Sequence, residues 1–328
     1  MNSLVTGGAG FIGSNLVDEL VKRKHKVTVI DNFSTGRLSN LSLNRKKIKI
    51  INADLSKFKN LDRVIKNIDY VFHLAGLADI VPSIEQPETY FQSNVTSTLN
   101  LLTACRKCKI KKLIYSAAAS CYGIPKKFPT DEKCEIKTEY PYAFTKYEAE
   151  NLIMHFYKVY KIPSVSLRFF NTYGPRSRTS GAYGAVFGVF LSQKFHGKPL
   201  TVVGNGKQTR DFIHVKDLVA ALIKSAVKAK PGKIYNLGSG KETSVNTIAN
   251  IIGGKKVYIP KRPGEPDRSL ADISKIKKEL NWKPTINIHD GVRELMKIIN
   301  NWKNAPVWTP KSIKKATRVW FKELGKKK

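Results

Sequence analysis

Short runs of β-branched and aromatic residues alternate with longer amphipathic segments through the first half of the chain. Six runs have the length and pattern of buried strands, at residues 3–6, 26–30, 48–51, 70–73, 113–115 and 164–168. Four segments between them show the helical spacing of apolar residues, at 12–23, 61–67, 88–106 and 142–160. This alternation predicts an α/β fold built on a doubly wound, parallel sheet.

The alternation loosens after Asn171, where Gly and Pro cluster and irregular loops separate the later elements. We therefore expect a first domain over residues 1–170 and a smaller C-terminal lobe over 171–305, with some segments of that lobe returning to the main sheet.

Residues 306–328 form a basic tail of different character. From Lys311 onward it holds eight Lys or Arg and one acidic residue, and Ile313, Ala316, Trp320 and Leu324 fall on one helical face. Such a segment could make a weak contact with a membrane surface. Packing on the body of the protein or on another subunit would explain the same pattern.

Length and composition narrow the class of protein. The 328 residues are 41% hydrophobic, which is typical of a globular protein and too apolar for a disordered one. No run of about 18 apolar residues predicts a transmembrane helix, and residues 1–6 lack the features of a signal peptide. We expect a cytoplasmic protein whose cysteines, at 105, 108, 121 and 134, are buried reduced thiols rather than metal ligands.

The net charge of +33, from 58 Lys and Arg against 25 Asp and Glu, raises nucleic-acid binding as a hypothesis. The lysines are scattered over the whole chain, however, and no recognition helix or RNA-binding signature accompanies them. We therefore interpret them as solvated surface charge and expect no nucleic-acid partner. The positive field would also attract polyanionic ligands such as dinucleotides.

A glycine-rich turn follows the first strand and opens the first helix, in the order Thr6-Gly7-Gly8-Ala9-Gly10-Phe11-Ile12-Gly13. Glycines at 7, 10 and 13 permit a tight turn and close approach of backbone N–H groups to a pyrophosphate. Asp31 ends the second strand 18 residues after Gly13, where its carboxylate can bind a ribose 2′-OH and repel a 2′-phosphate. This context predicts a Rossmann-type site for NAD rather than NADP.

Further cofactor contacts are expected where the next strands end. Asn32 follows Asp31, and Asp54 with Leu55 follows the third strand, where Asp54 could meet the adenine edge or only cap a loop. The small residues of Leu74-Ala75-Gly76 end the fourth strand and would let a cofactor lie close.

Tyr142 and Lys146 are four residues apart, which places both on one face of a helix. A tyrosine titrates near 10 when unperturbed and is a poor base at neutral pH, but nearby positive charge favours its phenolate. We interpret Tyr142 as a general base and Lys146 as the residue that assists it and holds the nicotinamide ribose.

Together these residues resemble the extended short-chain dehydrogenase/reductase family, and more narrowly its NAD-dependent nucleotide-sugar epimerases and dehydratases, closest to the UDP-glucose and UDP-N-acetylglucosamine 4-epimerases. The resemblance covers about residues 2–303. Its further motifs lie at residues 75–76, 81–85, 94–95, 122–123, 168–176, 204–215 and 268–272.

The resemblance implies roles for residues in these motifs. Asn94 and Phe169 would contact NAD, and the lobe over 171–305 would bind a UDP-sugar. Within it, Arg210 and Arg268 would clamp the diphosphate beside Asn171. Ser269 lies where related 4-epimerases vary the side chain that faces the sugar C2 substituent, so its small size implies room for an N-acetyl group. We also expect a homodimer.

The resemblance implies that residues 116–121, just before Tyr122-Gly123, select the reaction. Dehydratases of the family carry an Asp-Glu pair there and decarboxylating relatives usually a Glu, whereas this chain reads Ser-Ala-Ala-Ala-Ser-Cys. The family reaction that needs neither carboxylate uses only hydride and proton transfer, and this implies C4 epimerisation through a 4-keto sugar. A UDP-uronate epimerase or decarboxylase remains the alternative.

One departure concerns Ala118, which stands where these epimerases usually have a Ser or Thr that hydrogen-bonds O4. The enzyme could be slow, Ser120 or Ser116 could supply the hydroxyl, or Ala118 could be an introduced change. A catalytically impaired nucleotide-sugar-binding relative would also fit. The candidate catalytic positions are therefore Tyr142, Lys146, Ser120 and Ala118.

Overall fold

The computed structural model describes residues 1–179 and 185–325 and centres on a seven-stranded parallel sheet. The strands of the described residues are β1 (Asn2–Thr6), β2 (Lys26–Asp31), β3 (Ile48–Asn52), β4 (Tyr70–His73), β5 (Lys112–Ala118), β6 (Ser164–Phe169), β7 (Asn171–Tyr173), β8 (Leu200–Val203), β9 (Thr209–His214), β10 (Lys233–Leu237), β11 (Glu242–Ser244) and β12 (Lys256–Ile259).

The α-helices of the same residues flank the sheet and build the second lobe. They are α1 (Phe11–Lys22), α2 (Leu61–Ile65), α3 (Ile80–Glu85), α4 (Pro87–Phe91), α5 (Ser97–Arg106), α6 (Pro141–Tyr160), α7 (Val186–Phe195), α8 (Val215–Lys228), α9 (Val245–Ile252), α10 (Ser274–Leu280), α11 (Ile288–Lys297), α12 (Pro310–Ala316) and α13 (Arg318–Leu324). None of the helices in the described ranges is long and apolar enough to cross a membrane.

The strand order of the main sheet is β10-β6-β5-β4-β1-β2-β3, with every neighbouring pair parallel. The order reverses at β1, which pairs with β2 on one side and β4 on the other. Open parallel sheets bind ligands at such a switch point, in the crevice beyond the carboxyl ends of the strands. The predicted doubly wound, Rossmann-type sheet is confirmed.

Residues after 170 contribute to both parts of the protein. β10 pairs with β6 at the edge of the main sheet, and α8 and α10 add Leu222, Ile276 and other buried side chains to its core. A second core, which includes Phe190, Ile248 and Trp302, lies among α7, α9, α11 and the short sheets β11-β9-β7 and β12-β8.

The helix predicted over 88–106 is divided. A π-helical turn at Gln92–Thr96 separates α4 from α5. The extra residue in this turn lets the Asn94 side chain reach the main chain of Leu77 while Thr98 donates to the Asn94 carbonyl. The geometry of this π-helical turn thus depends on side-chain hydrogen bonds to distant parts of the fold, and the spacing of apolar residues in the sequence does not predict it.

Two other boundaries and the tail also differ from expectation. The predicted strand at 113–115 extends over all of β5, because β4 and β6 hydrogen-bond it on both sides. The helix predicted at 61–67 ends at Ile65. The tail is a pair of short helices broken at Thr317, and its apolar members Ile313 and Trp320 are buried against the body. Ala316 and Leu324, on the same face, are half-buried, and Phe321 is exposed.

Candidate active site

A cavity of about 740 Å³ opens at the carboxyl ends of the central strands. It brings together every predicted site residue except Asn94. Those lining it are Gly7, Gly10, Phe11, Ile12, Gly13, Asp31, Asn32, Asp54, Leu55, Leu74, Ala75, Gly76, Ala118, Ser120, Tyr142, Lys146, Phe169, Asn171, Arg210, Arg268 and Ser269.

The glycine turn between β1 and α1 is packed too closely for side chains. Gly7 has φ of +68°, and a Cβ there would lie 2.7 Å from the Ala75 nitrogen. A Cβ at Gly13 would lie 2.1 Å from the Gly7 carbonyl oxygen, so the third glycine is what lets α1 begin against the turn. The backbone of this turn and the N-terminus of α1 face the cavity, an arrangement suited to a pyrophosphate.

Asp31 is fixed at the end of β2. Its two carboxylate oxygens accept hydrogen bonds from the backbone N–H groups of Ala9 and Phe33, both at 2.9 Å. Burial raises the pKa of the Asp31 carboxyl, and these two hydrogen bonds oppose that rise. Each oxygen keeps a further lone pair, so the side chain can still accept from a ribose hydroxyl.

Asp54 both lines the cavity and caps a loop. It accepts hydrogen bonds from the backbone N–H of Ser56 at 2.9 Å and from the Ser56 hydroxyl at 2.7 Å. Burial acts to raise the pKa of Asp54, but the hydrogen bonds from Ser56, the Lys57 charge and a hydrogen bond from Asn32 together outweigh it, and the pKa is lowered. The neighbouring Asn32 accepts from the Ser34 N–H at 3.1 Å.

These residues fit a dinucleotide with an unmodified 2′-OH. The cradle at residues 7–13 has no room for a Cβ at Gly7 or Gly13, so backbone N–H groups can approach a ligand directly. At one end of it lies the carboxylate of Asp31, which suits a diol and would repel a phosphate ester.

Asn94 is the one predicted cofactor contact that lies off the cavity. Its Oδ1 accepts from the Leu77 N–H at 2.8 Å, and its Nδ2 donates to the Leu77 carbonyl at 3.1 Å and to Thr145 Oγ1 at 2.9 Å. A Cβ at Gly76 would lie 2.7 Å from Asn94 Oδ1. In the structure, Asn94 positions the part of the cavity wall formed by Gly76 and Leu77.

Tyr142 and Lys146 lie in the first turns of α6, which Pro141 opens at its first position. Burial raises the pKa of the Tyr142 phenol, and the Asp79 carboxylate acts in the same direction. Burial also lowers the pKa of the Lys146 ammonium to about 7. Lys146 Nζ lies 4.5 Å from the centre of the Tyr115 ring, a cation–π distance.

Positions 116, 118 and 120 do not all lie on one strand, so their side chains do not share one face. Ser116 and Ala118 belong to β5, and the Ser116 hydroxyl donates to the His73 carbonyl at 3.0 Å. Ser120 lies in the 3₁₀ turn after the strand. Its Oγ is buried without a hydrogen bond of good geometry, but it lies close enough to the phenol to oppose the burial-driven rise in the pKa of Tyr142.

The arginines predicted to bind a diphosphate lie at the substrate-lobe side of the cavity. Arg210 pairs with Glu265 at 2.9 Å and its side chain is 10% exposed, whereas Arg268 pairs with Glu242 at 2.8 Å and is 52% exposed. The Arg268 guanidinium also lies 4.6 Å from the centre of the Phe128 ring.

Several cavity residues were absent from the sequence-based set. Arg262 and Glu265 enter from one loop, Asp79 and Tyr140 lie beside Tyr142, and Trp320 enters from the tail. The Arg-Pro-Gly-Glu order at 262–265 is a signal that could have been used, since it is a turn sequence that carries a cation only six positions before the predicted Arg268. Trp320 had no signal beyond helical spacing.

Within residues 1–179 and 185–325, no group of three or more His, Cys, Asp or Glu side chains is placed to hold a metal ion. Of the cysteines expected to be buried, Cys105 and Cys121 are buried, whereas Cys108 and Cys134 are partly exposed.

Comparison with known proteins identifies the family. The family model for GDP-mannose 4,6 dehydratase matches residues 4–295. The chain belongs to the extended short-chain dehydrogenases/reductases. This short-chain dehydrogenase/reductase is 30% identical to a UDP-glucose 4-epimerase of Mycolicibacterium smegmatis, over 92% of its own chain and 99% of the relative.

Solved structures of similar proteins share the fold of this short-chain dehydrogenase/reductase. A UDP-N-acetylglucosamine 4-epimerase from Methanobrevibacter ruminantium, in complex with UDP-N-acetylmuramic acid, is 36% identical with a TM-score of 0.86, covering 92% of this chain and 98% of that one. A UDP-glucuronic acid 4-epimerase from Bacillus cereus, in complex with UDP-glucuronic acid and NAD, is 32% identical with a TM-score of 0.86, covering 92% and 99%.

Proposed function

We propose that this protein catalyses the NAD-dependent C4 epimerisation of a UDP-sugar through a 4-keto intermediate. The observation that carries the proposal is that one cavity joins the glycine turn and Asp31 to the Tyr142–Lys146 pair and to Arg210. The similar proteins named above include 4-epimerases of UDP-glucose, UDP-N-acetylglucosamine and UDP-glucuronic acid. Residues 116–121 carry no carboxylate for elimination or decarboxylation.

NAD, which the glycine turn at residues 7–13 and Asp31 would hold, would supply a hydride acceptor for C4 of the sugar and the means to return that hydride to the opposite face. Tyr142 takes the proton from the O4 hydroxyl and gives it back on the return step. Because burial raises the pKa of Tyr142, the phenolate needs a positive neighbour, and a protonated Lys146 is the cation that α6 places one turn away. The Ser120 hydroxyl donates to O4 as negative charge develops there.

The substrate lobe would hold the diphosphate through arginine. Arg210 and Arg268 each use part of the guanidinium on a carboxylate, Glu265 and Glu242, which fixes the direction of the side chain. A guanidinium has five N–H donors, so the remaining ones are available to phosphate oxygens. Asn171, at the start of β7, lies beside this part of the cavity.

The sugar we favour is UDP-N-acetylglucosamine with its C4 epimer, beside the unacetylated pair, because the small Ser269 lines the cavity. A UDP-uronate is the second candidate. It is supported by Arg178, which lines the same cavity and pairs with Asp79, and which could bind a C6 carboxylate.

The decisive experiment is incubation of the NAD-loaded protein with UDP-glucose, UDP-N-acetylglucosamine and UDP-glucuronic acid in turn, followed by NMR of the anomeric protons. Formation of a C4 epimer from at least one of them is the expected result. Tight binding of NAD and UDP-sugars without any epimer would identify a catalytically impaired binding protein instead.

We also propose a homodimer. The helices α4, α5 and α6 pack together and expose large apolar side chains to solvent: Phe91, Leu99, Phe144, Val159 and Tyr160. Phe91 and Phe144 line one shallow depression. Sedimentation velocity should give a dimer for the unaltered protein and a monomer for Phe144→Glu, and a monomeric unaltered protein would contradict the proposal.

A further inference from the structure

The tail after residue 305 lies outside the residues that the family model matches, yet it reaches the active-site cavity. α12 is anchored on the second core through buried Ile313. Before it, Gln193 donates to the Trp308 carbonyl at 2.7 Å. α13 then turns back across the molecule, and its Trp320 is 4% exposed and lines the cavity.

Trp320 is bound to the loop that carries Arg262 and Glu265. The indole Nε1–H donates to the Pro263 carbonyl at 2.8 Å. The Arg262 guanidinium lies 5.4 Å from the centre of the indole ring. α13 has only seven residues, too few for a stable isolated helix, so its position depends on these contacts.

The same loop controls the direction of Arg210. Glu265, two residues after Pro263, pairs with Arg210 at 2.9 Å. On its other side α13 packs against α3, whose Ile80 and Val81 also line the cavity. The helix therefore lies between α3 and the 262–265 loop, beside the point where the candidate diphosphate clamp is held.

We propose that α13 is part of the nucleotide-sugar site, with Trp320 as a positioning residue that forms one wall of the cavity and holds the 262–265 loop, and through it Arg210, in place for a uridine diphosphate. This assignment rests on the proposed function for its ligand. It gives the basic tail a role in substrate affinity rather than in membrane contact or in catalysis.

The test uses UDP as the probe and the NAD-loaded protein of 328 residues, with affinity measured by titration calorimetry. Trp320→Ala and truncation after Thr317 should each weaken UDP binding about tenfold or more and raise KM for the UDP-sugar in parallel. The NAD affinity should stay the same and kcat should change less than about twofold. Trp320→Phe keeps an aromatic wall but loses the Nε1–H donor, so its UDP affinity should lie between that of the unaltered protein and that of Trp320→Ala.

Phe321→Ala is the matched control, because Phe321 is the next aromatic residue of α13 and is 40% exposed. It should leave UDP and NAD affinity unchanged. The proposal is overturned if Trp320→Ala binds UDP normally, or if UDP affinity, NAD affinity and the melting temperature all fall together. UDP binding without epimerisation would refute the proposed activity alone, whereas no UDP binding by the unaltered protein would refute the choice of substrate and this proposal with it.

Discussion

Replacement of Ser120 by Ala tests which hydroxyl serves the reacting oxygen. The Ser120 Oγ is buried beside the phenols of Tyr142 and Tyr140 and makes no hydrogen bond of good geometry. Its removal should therefore cost little folding stability, and the loss should appear in the transition state. One missing oxyanion donor typically costs about 2.7–4 kcal/mol, so we expect kcat to fall roughly a hundred- to a thousandfold.

The assay is a coupled measurement of epimer formation at saturating UDP-sugar, with NAD binding measured in parallel. Ala118→Ser is the companion variant. If Ser120 already supplies the hydroxyl, Ala118→Ser should change kcat little, whereas a strong gain would mean that the present enzyme lacks the donor. Ser116→Ala loses a structural bond to the His73 carbonyl and should act mainly on stability. If all three variants are silent in kcat, the hydroxyl-assisted mechanism is wrong.

Four further changes probe other parts of the site. Asp31→Ala should weaken NAD binding and reduce discrimination against NADP in calorimetry, and an unaltered protein that prefers NADP would contradict the assignment. Tyr142→Phe should keep NAD binding and lower turnover about a hundredfold or more, so near-normal activity would exclude Tyr142 as the base. Ser269→Tyr should suppress the N-acetylated substrate selectively, and equal loss on both sugars would refute the steric gate. Burial lowers the pKa of Lys146 from 10.5 to about 7, so a protonated Lys146 destabilises the folded state. Lys146→Met should therefore raise the melting temperature most at or below pH 7, and this gain should fade as the pH rises towards 10. A difference in melting temperature that does not change with pH would refute that cause.

The dinucleotide half of the site could be predicted from the sequence because its determinants are local. The spacing from Gly7 to Asp31 is set by one strand, one turn, one helix and a second strand, and each has a clear pattern. The structure places Gly7, Gly13 and Asp31 as that spacing requires. The placement of Tyr142 and Lys146 on one face of α6 could be predicted for the same reason, since four residues make about one helical turn.

What the sequence did not reveal depends on contacts between distant segments. Asn94 has the right motif for a cofactor contact, but a π-helical turn directs its amide to Leu77 and Thr145. Trp320 matches an amphipathic helix on a surface, and only the folded chain shows that Thr317 breaks that helix and that the indole reaches Pro263. Helical periodicity identifies an apolar face but not the surface that will cover it.

The charge pattern around α6 explains why the pKa of Lys146 is lowered so strongly. Glu150 lies one turn further along α6 and would be the natural partner of the ammonium. Its carboxylate instead accepts from Arg168 at 2.6 Å and from the Ser166 hydroxyl at 2.6 Å, which ties α6 to β6. A carboxylate committed to a buried guanidinium offers little further compensation, so burial dominates the pKa of Lys146. The Arg168–Glu150 ion pair that holds α6, and with it Tyr142 and Lys146, in place therefore leaves the pKa of Lys146 at about 7. At neutral pH, a small change in the surroundings of this lysine then decides whether it is charged.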